Sequence, residues 1–245
     1  MEGLSYITYS GITGVTDAQG HFEYKKGDKI TFQLGSVTLP PISAQSTITP
    51  LTITDSNATK AANIAYVLQN LDTDGNAANG VIKLPPKKIL DNVLKDINFS
   101  NETNVSDIVT KIKPVIKQKL SVSLPDVTLQ EAKQNMVNNI DEKIKSLIVG
   151  KTWYEPVTDV ANKYVKTLQF SDDGHTLTDT WMEDGKQYKS TLEYSITNGE
   201  LHITGKDSQG KPLNNTLSLN EIQQTLYKTY QEAYDKLNLT SQNNT

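Results

Sequence analysis

The sequence predicts an α+β multidomain chain: a small N-terminal antiparallel β module, a helical middle segment, and a C-terminal antiparallel β-meander or small barrel with a closing helix. Two observations carry this. Apolar residues alternate with period two over 1–55, recur with a helical period over 56–149, and return to period two from 150 onward. Turn residues also cluster between the alternating runs, and capping signatures precede the helical ones.

In the first segment, Leu4, Tyr6 and Thr8 alternate with Ser5, Ile7 and Tyr9. Asp17-Ala18-Gln19-Gly20 then turns the chain into His21-Phe22-Glu23-Tyr24, with Phe22 and Tyr24 on one face. A turn at Lys26-Gly27-Asp28 leads to Ile30-Thr31-Phe32-Gln33-Leu34, and Pro40, Pro41 and Pro50 stop regular pairing. In the second segment, Ile64, Val67, Leu68 and Leu71 form one helical stripe, with Asp55 or Ser56 as the expected cap. Pro86 can open a helix carrying Ile89, Leu90, Val93, Leu94 and Ile97. Val105 to Leu120 repeats the pattern, with Pro114 expected to kink or split it. Thr128-Leu129-Gln130-Glu131 is a capping box for a helix burying Met136, Val137, Ile140, Ile144 and Leu147, and Gly150 is placed to end it. Lys87, Lys88, Lys111, Lys113, Lys117 and Lys119 are expected on a solvated face.

In the third segment, Tyr188, Ser190, Leu192, Tyr194 and Ile196 alternate with polar neighbours, the pattern of a half-buried strand. Hairpin signals at Asp173-Gly174, Asp184-Gly185, Asn198-Gly199 and Gln209-Gly210 imply about six strands. Ser218-Leu219-Asn220-Glu221 is a second capping box, opening one last helix with Ile222, Leu226, Tyr230, Ala233 and Leu237, and the tail from Asn238 is expected to fray.

Composition narrows the function classes. The 245 residues carry a net charge of −4, distributed as −2, +2 and −4 over the three segments, so no segment attracts nucleic acid or a membrane surface by bulk charge. No apolar run is long enough to span a bilayer. Cysteine is absent, which removes disulfides, thiol nucleophiles and thiolate metal sites. All 24 basic residues are lysine, so bidentate arginine grip on phosphate is missing as well. The seven Asn-x-Ser/Thr triplets are expected by chance in a chain this rich in Asn and Thr.

Catalytic motifs are scarce. His21, His175 and His202 share no ligand spacing, and Asp172/Asp173 belong to a turn. With no nucleophile elbow, P-loop or dinucleotide fingerprint, a non-enzymatic protein is expected. Two candidate sites stand out. Asp72, Asp74, Asn76 and Asn79 space oxygen side chains as a Ca²⁺ loop does, although Gly75 comes one place early and Lys83 occupies the position of the bidentate acid. This loop either binds Ca²⁺ weakly, the one cofactor implied, or acts as a rigid stop between helix and strand. In the C-terminal segment, Trp153, Tyr164, Phe170, Trp181, Tyr188 and Tyr194 would line a cavity for a small apolar ligand; the same rings can fill a small core.

The first 82 residues resemble a module of Gram-negative surface lipoproteins and large adhesin-like exported proteins. The resemblance rests on Gly3-Leu4-Ser5-Tyr6, on Gly14-x-Thr16-Asp17-x-x-Gly20-x-Phe22-x-Tyr24-x-x-Gly27-Asp28-x-Ile30-Thr31-Phe32, on Thr49-Pro50-Leu51, and on Leu68-Gln69-x-Leu71-Asp72-x-Asp74-Gly75-Asn76-x-x-Asn79-Gly80. The Thr-Asp-x-x-Gly-x-Phe hairpin is also similar to transthyretin-like and carboxypeptidase-regulatory modules. Gly150-Lys151-Thr152-Trp153-Tyr154 looks like the opening of a lipocalin-like strand. The resemblance implies an exported protein at the outer-membrane surface or outside the cell, whose leader lies upstream of Met1 and whose partner is a protein or surface component. An adhesin-like or host- or matrix-binding role is therefore expected, with carriage of a small apolar ligand as the alternative. Read from the residues alone, the segments are 1–55, 56–149 and 150–245.

Overall fold

The computed structural model describes residues 1–77, 79–158, 162–183, 185–207 and 210–242, with side chains as far as Asn238. Among them the chain forms seven helices and two antiparallel sheets, a mixed α+β fold. The chain divides into two compact units, Met1–Met136 and Val137–Thr245.

The first unit begins with five short strands, β1 (Ser5–Thr8), β2 (Thr13–Val15), β3 (Lys29–Leu34), β4 (Val37–Thr38) and β5 (Ile42–Ser43). They are ordered β2-β1-β3-β4, with β5 pairing the start of β3. The alternation holds: Tyr6, Ile30, Phe32 and Leu34 point into the core. Residues His21 to Tyr24, read from the sequence as a strand, are not one. Asp17 Oδ1 accepts the backbone N–H of Gln19 and His21, and Tyr6 Oη accepts that of Glu23 at 3.0 Å, so side chains satisfy donors that a ladder would otherwise use. Phe22 and Tyr24 still share a face, and Phe22 packs edge-on against Phe32 at 5.6 Å.

The helices follow as α1 (Pro50–Ile53), α2 (Ala58–Asn70), α3 (Lys87–Val93), α4 (Glu102–Leu120) and α5 (Leu129–Ile148). The cap of α2 is Asn57, whose side chain accepts the Lys60 N–H, rather than Asp55 or Ser56. Those two residues have positive φ and form the left-handed link from α1. α3 stops at Val93, short of Ile97, because the chain turns through Asp96 at φ 54°. α4 is not split at Pro114. Proline costs about 3 kcal/mol inside a helix, but Val109, Ile112 and Ile116 on both sides of it are buried in one core, each side chain contributing roughly 1.5–3 kcal/mol. Lys113 departs from the expected solvated face. It is buried, and its ammonium donates to Asn70 Oδ1 at 3.0 Å, to Asp126 Oδ1 and to the Pro125 carbonyl. The Thr128–Glu131 capping box forms as expected.

A single hydrophobic cluster joins Leu4, Ile30 and Phe32 from the sheet to Ile64, Leu68, Val105 and Val109 from the helices. The segments drawn at 55/56 therefore share one core. The reason is size: five short strands cannot bury both faces without the helices.

In the second unit, β6 (Thr152–Thr158), β7 (Lys163–Phe170), β8 (Thr176–Glu183), β9 (Lys186–Thr197), β10 (Glu200–Lys206) and β11 (Pro212–Ser218) pair in consecutive order. The result is a six-stranded meander curled into a half-barrel. Asn198 and Gly199 both have positive φ, the conformation of a type I′ hairpin. Of the other predicted turns, Asp184 and Gln209 lie outside the described residues. The single closing helix expected from Ser218 is two helices, α6 (Leu219–Thr225) and α7 (Tyr230–Gln242). The break has a backbone cause: Tyr227 exchanges two 2.9 Å hydrogen bonds with Tyr154, adding one bridge to the edge of β6. Thr229 and Glu232 then form a further capping box that restarts the helix. α7 lies on β6 and β7, with Ala233 and Leu237 packed against Val165, and its backbone stays helical past Asn238 to Gln242.

Candidate functional site

Strand alternation places all six aromatic candidates of the second unit on one face of the half-barrel. They form separate groups. Phe170 and Tyr194 meet edge-on at 5.1 Å, and Tyr194 Oη donates to the Ser171 carbonyl. Trp153 donates its indole N–H to the Leu147 carbonyl at 2.9 Å. These three side chains build the core. Tyr164, Trp181 and Tyr188 form a continuous stack, with centroids 6.5 Å and 5.5 Å apart and planes within 24°.

Beside that stack is a group of charges that sequence reasoning missed. Glu155 on β6 stands directly opposite Lys166 on β7. Lys166 Nζ lies 3.0 Å from Asp179 Oδ2 on β8 and 5.2 Å from the centre of the Trp181 ring. Asp179 is 5% exposed, and its Oδ1 has no hydrogen-bond partner among the described residues. Glu183, on the same face by alternation, accepts from Asn162 Nδ2 and, at 3.4 Å, from Trp181 Nε1. The overlooked signal is one of position. Lys166 falls between Tyr164 and Leu168, and Asp179 between Leu177 and Trp181, so each charge occupies an inward place in a period-two strand.

Burial raises the pKa of both Glu155 and Asp179, against the opposing pull of Lys166. For Lys166, burial is outweighed by Asp179 and Glu155, so its pKa rises. A carboxyl that holds its proton more tightly in the folded state adds stability at acid pH, and that stability is lost as pH climbs through its raised folded pKa. Glu155→Gln is therefore expected to flatten the fall in stability of the second unit from the ordinary glutamate range toward neutrality. Urea midpoints followed by tryptophan fluorescence measure this, since Trp153 and Trp181, the two tryptophans, both belong to that unit. A slope identical to wild type would show that Glu155 is solvated.

In the first unit, Asp72, Asp74, Asn76 and Asn79 are gathered at the end of α2, with Gly75 at φ 82° in the turn between them. Asp72 Oδ1 accepts the N–H of Asp74 at 3.2 Å and of Lys83 at 2.9 Å. Asp74 Oδ1 accepts the Asn76 N–H, and its Oδ2 accepts from Asn79 Nδ2 at 2.9 Å. Asn79 Oδ1 accepts the Val81 N–H. Burial raises the Asp72 pKa, whereas the Asn79 amide lowers that of Asp74. Among the described residues, no group of three or more His, Asp or Glu side chains is placed to hold a metal, so the three histidines do not assemble. What the loop offers is two carboxylates with amide and carbonyl oxygens, a donor set for a hard cation.

Comparison with known protein families, curated proteins and solved structures finds no match to this chain.

Proposed function

We propose that this chain is a non-enzymatic binding protein whose half-barrel holds a small amphipathic ligand bearing a cationic group. The supporting observation is the buried Asp179 carboxylate, with an oxygen that has no partner among the described residues, paired to a Lys166 ammonium that also lies over the Trp181 ring of the Tyr164–Trp181–Tyr188 stack. Three carboxylates on this sheet face, Glu155, Asp179 and Glu183, exceed its two lysines, Lys166 and the exposed Lys186 opposite Glu183. A cation would offset that excess, and aromatic faces attract it. The purely apolar ligand expected from the rings leaves the charges uncompensated. A curled six-stranded meander opening at Gly150–Tyr154 is consistent with a lipocalin-like carrier, which supports the small-ligand reading. The setting we propose is the exported, adhesin-like surface protein that the first 82 residues resemble.

Titrating the protein with benzyltrimethylammonium while following tryptophan fluorescence tests the ligand class. The cation is expected to bind at least tenfold more tightly than its neutral carbon analogue, a difference of about 1.4 kcal/mol. Asp179→Asn is expected to abolish that preference. Equal binding of the two compounds would remove the cationic part of the reading.

A second reading, capture of a protein or surface component, is supported by the outer face of the first sheet. Ile7, Tyr9 and Val15 are exposed there, Tyr9 to 68%, and β2 is an edge strand.

A further inference from the structure

Asp72 follows Leu71, the C-cap of α2, where the terminal carbonyls concentrate partial negative charge. The last turn of that helix contains no basic residue to offset it. Asp72 is also 0% exposed, and its Oδ2 has no hydrogen-bond partner among the described residues. An ionised carboxylate taken out of water without a counter-charge is costly, so buried carboxylates are paired, protonated or bound to a cation. A lysine does not fill that role here: Lys83 turns its ammonium to Glu2 at 3.6 Å. Asp74 adjoins Asp72, its backbone N–H donating to Asp72 Oδ1 at 3.2 Å. Two neighbouring carboxylates at a helix C-terminus, one of them buried with an oxygen unpartnered among the described residues, make a site for a positive ion.

We propose that a Ca²⁺ ion binds between the Asp72 and Asp74 carboxylates and clasps the segment after α2 onto the N-terminal residues. Asn76 is held beside the pair by its N–H bond to Asp74 Oδ1. Asn79 is a positioning residue, because its Nδ2 holds Asp74 Oδ2 while its Oδ1 holds the Val81 N–H. The clasp follows from the backbone around the site. Asp72 Oδ1 and the Thr73 N–H and hydroxyl all bond to the main chain of Lys83. The flanking residues Ile82 and Leu84 pair with Glu2 at 2.7 and 3.0 Å. Fixing Asp72 therefore fixes the returning chain, and through it the first residues of the β module. Calcium fits better than magnesium, because it accepts six to eight oxygens in flexible geometry, whereas Mg²⁺ demands an octahedron and sheds water reluctantly. With Lys83 where a bidentate acid would complete the shell, affinity is expected in the extracellular range, about 10⁻⁴ to 10⁻³ M.

The site lies in the first unit, so its test is independent of the half-barrel reading. Calorimetric titration of the full chain with CaCl₂ is expected to give one site in that affinity range. Differential scanning calorimetry in 10 mM CaCl₂ is expected to raise the melting temperature of the first unit by about 3–6 °C over chelator, and MgCl₂ to give less than half that shift. Asp74→Asn is the informative variant because Asp74 is exposed and the change preserves shape. It is expected to lose the calcium shift measured against its own melting temperature in chelator. Absence of binding heat and of any shift in the wild type, or a full shift retained by Asp74→Asn, would overturn the site.

Discussion

Replacing Phe170 by alanine is expected to cost the second unit about 3–5 kcal/mol, against a typical domain stability of about 5–15 kcal/mol. Phe170 is 2% exposed, stands opposite Leu177 in the sheet, and meets Tyr194 edge-on at 5.1 Å. Truncation removes the transfer energy of a whole ring and leaves a cavity. The cavity persists because β7 is held by ladders on both sides and cannot move inward to fill it. The urea midpoint, read by tryptophan fluorescence, is expected to fall by about 2 M at an ordinary denaturant slope. Phe170→Leu, which keeps most of the volume, is expected to lose less than half as much. A midpoint within about 0.5 M of wild type for the alanine variant would mean that this part of the half-barrel collapses around the gap and is not the packed core described.

Gly35→Ala is expected to destabilise the first unit by about 2–5 kcal/mol, combining left-handed strain with overpacking. Gly35 forms the β3–β4 turn at φ 61°, and a Cβ there would lie 2.8 Å from the carbonyl carbon and oxygen of Leu90 in α3. Those are backbone atoms, so relief requires moving the helix. That movement would also break the bond from the Ser36 hydroxyl to the Leu94 carbonyl at 2.9 Å. Gly27→Ala separates the two causes. Its φ of 88° is equally left-handed, but nothing lies within 4 Å of the added carbon, so only the strain, about 1–2 kcal/mol, is expected. Thermal unfolding followed by far-ultraviolet circular dichroism reads both variants. Equal losses would show that α3 does not press on the turn.

Local signals read well wherever one residue or one period decides the outcome. The capping boxes at Thr128 and Ser218 form because each needs only a hydroxyl and a carboxylate three residues apart. The alternation of Tyr188 to Ile196 survives intact because a strand with one wet face must keep its register. The oxygen-bearing residues Asp72, Asp74, Asn76 and Asn79 meet in one turn for the same reason: their hydrogen bonds are almost all within a few residues.

Long-range competition settled the rest. Periodicity alone argued for one last helix, but Tyr227 gains two backbone bonds on Tyr154, 73 residues away in the chain, and the helix breaks there. The same logic keeps α4 whole across Pro114, since burial on both sides outweighs one missing bond. The sequence by itself determined the α+β class, the succession of a β region, a helical region and a second β region, and the inward alternation along the strand from Tyr188 to Ile196. Only the tertiary structure decided that the first two segments share a core, that Lys113 is buried, and that Glu155, Lys166 and Asp179 converge. Secondary structure is set by periods of a few residues. Which inward charges become neighbours depends on strand pairing and register, which bring together positions that the sequence keeps 11 to 24 residues apart.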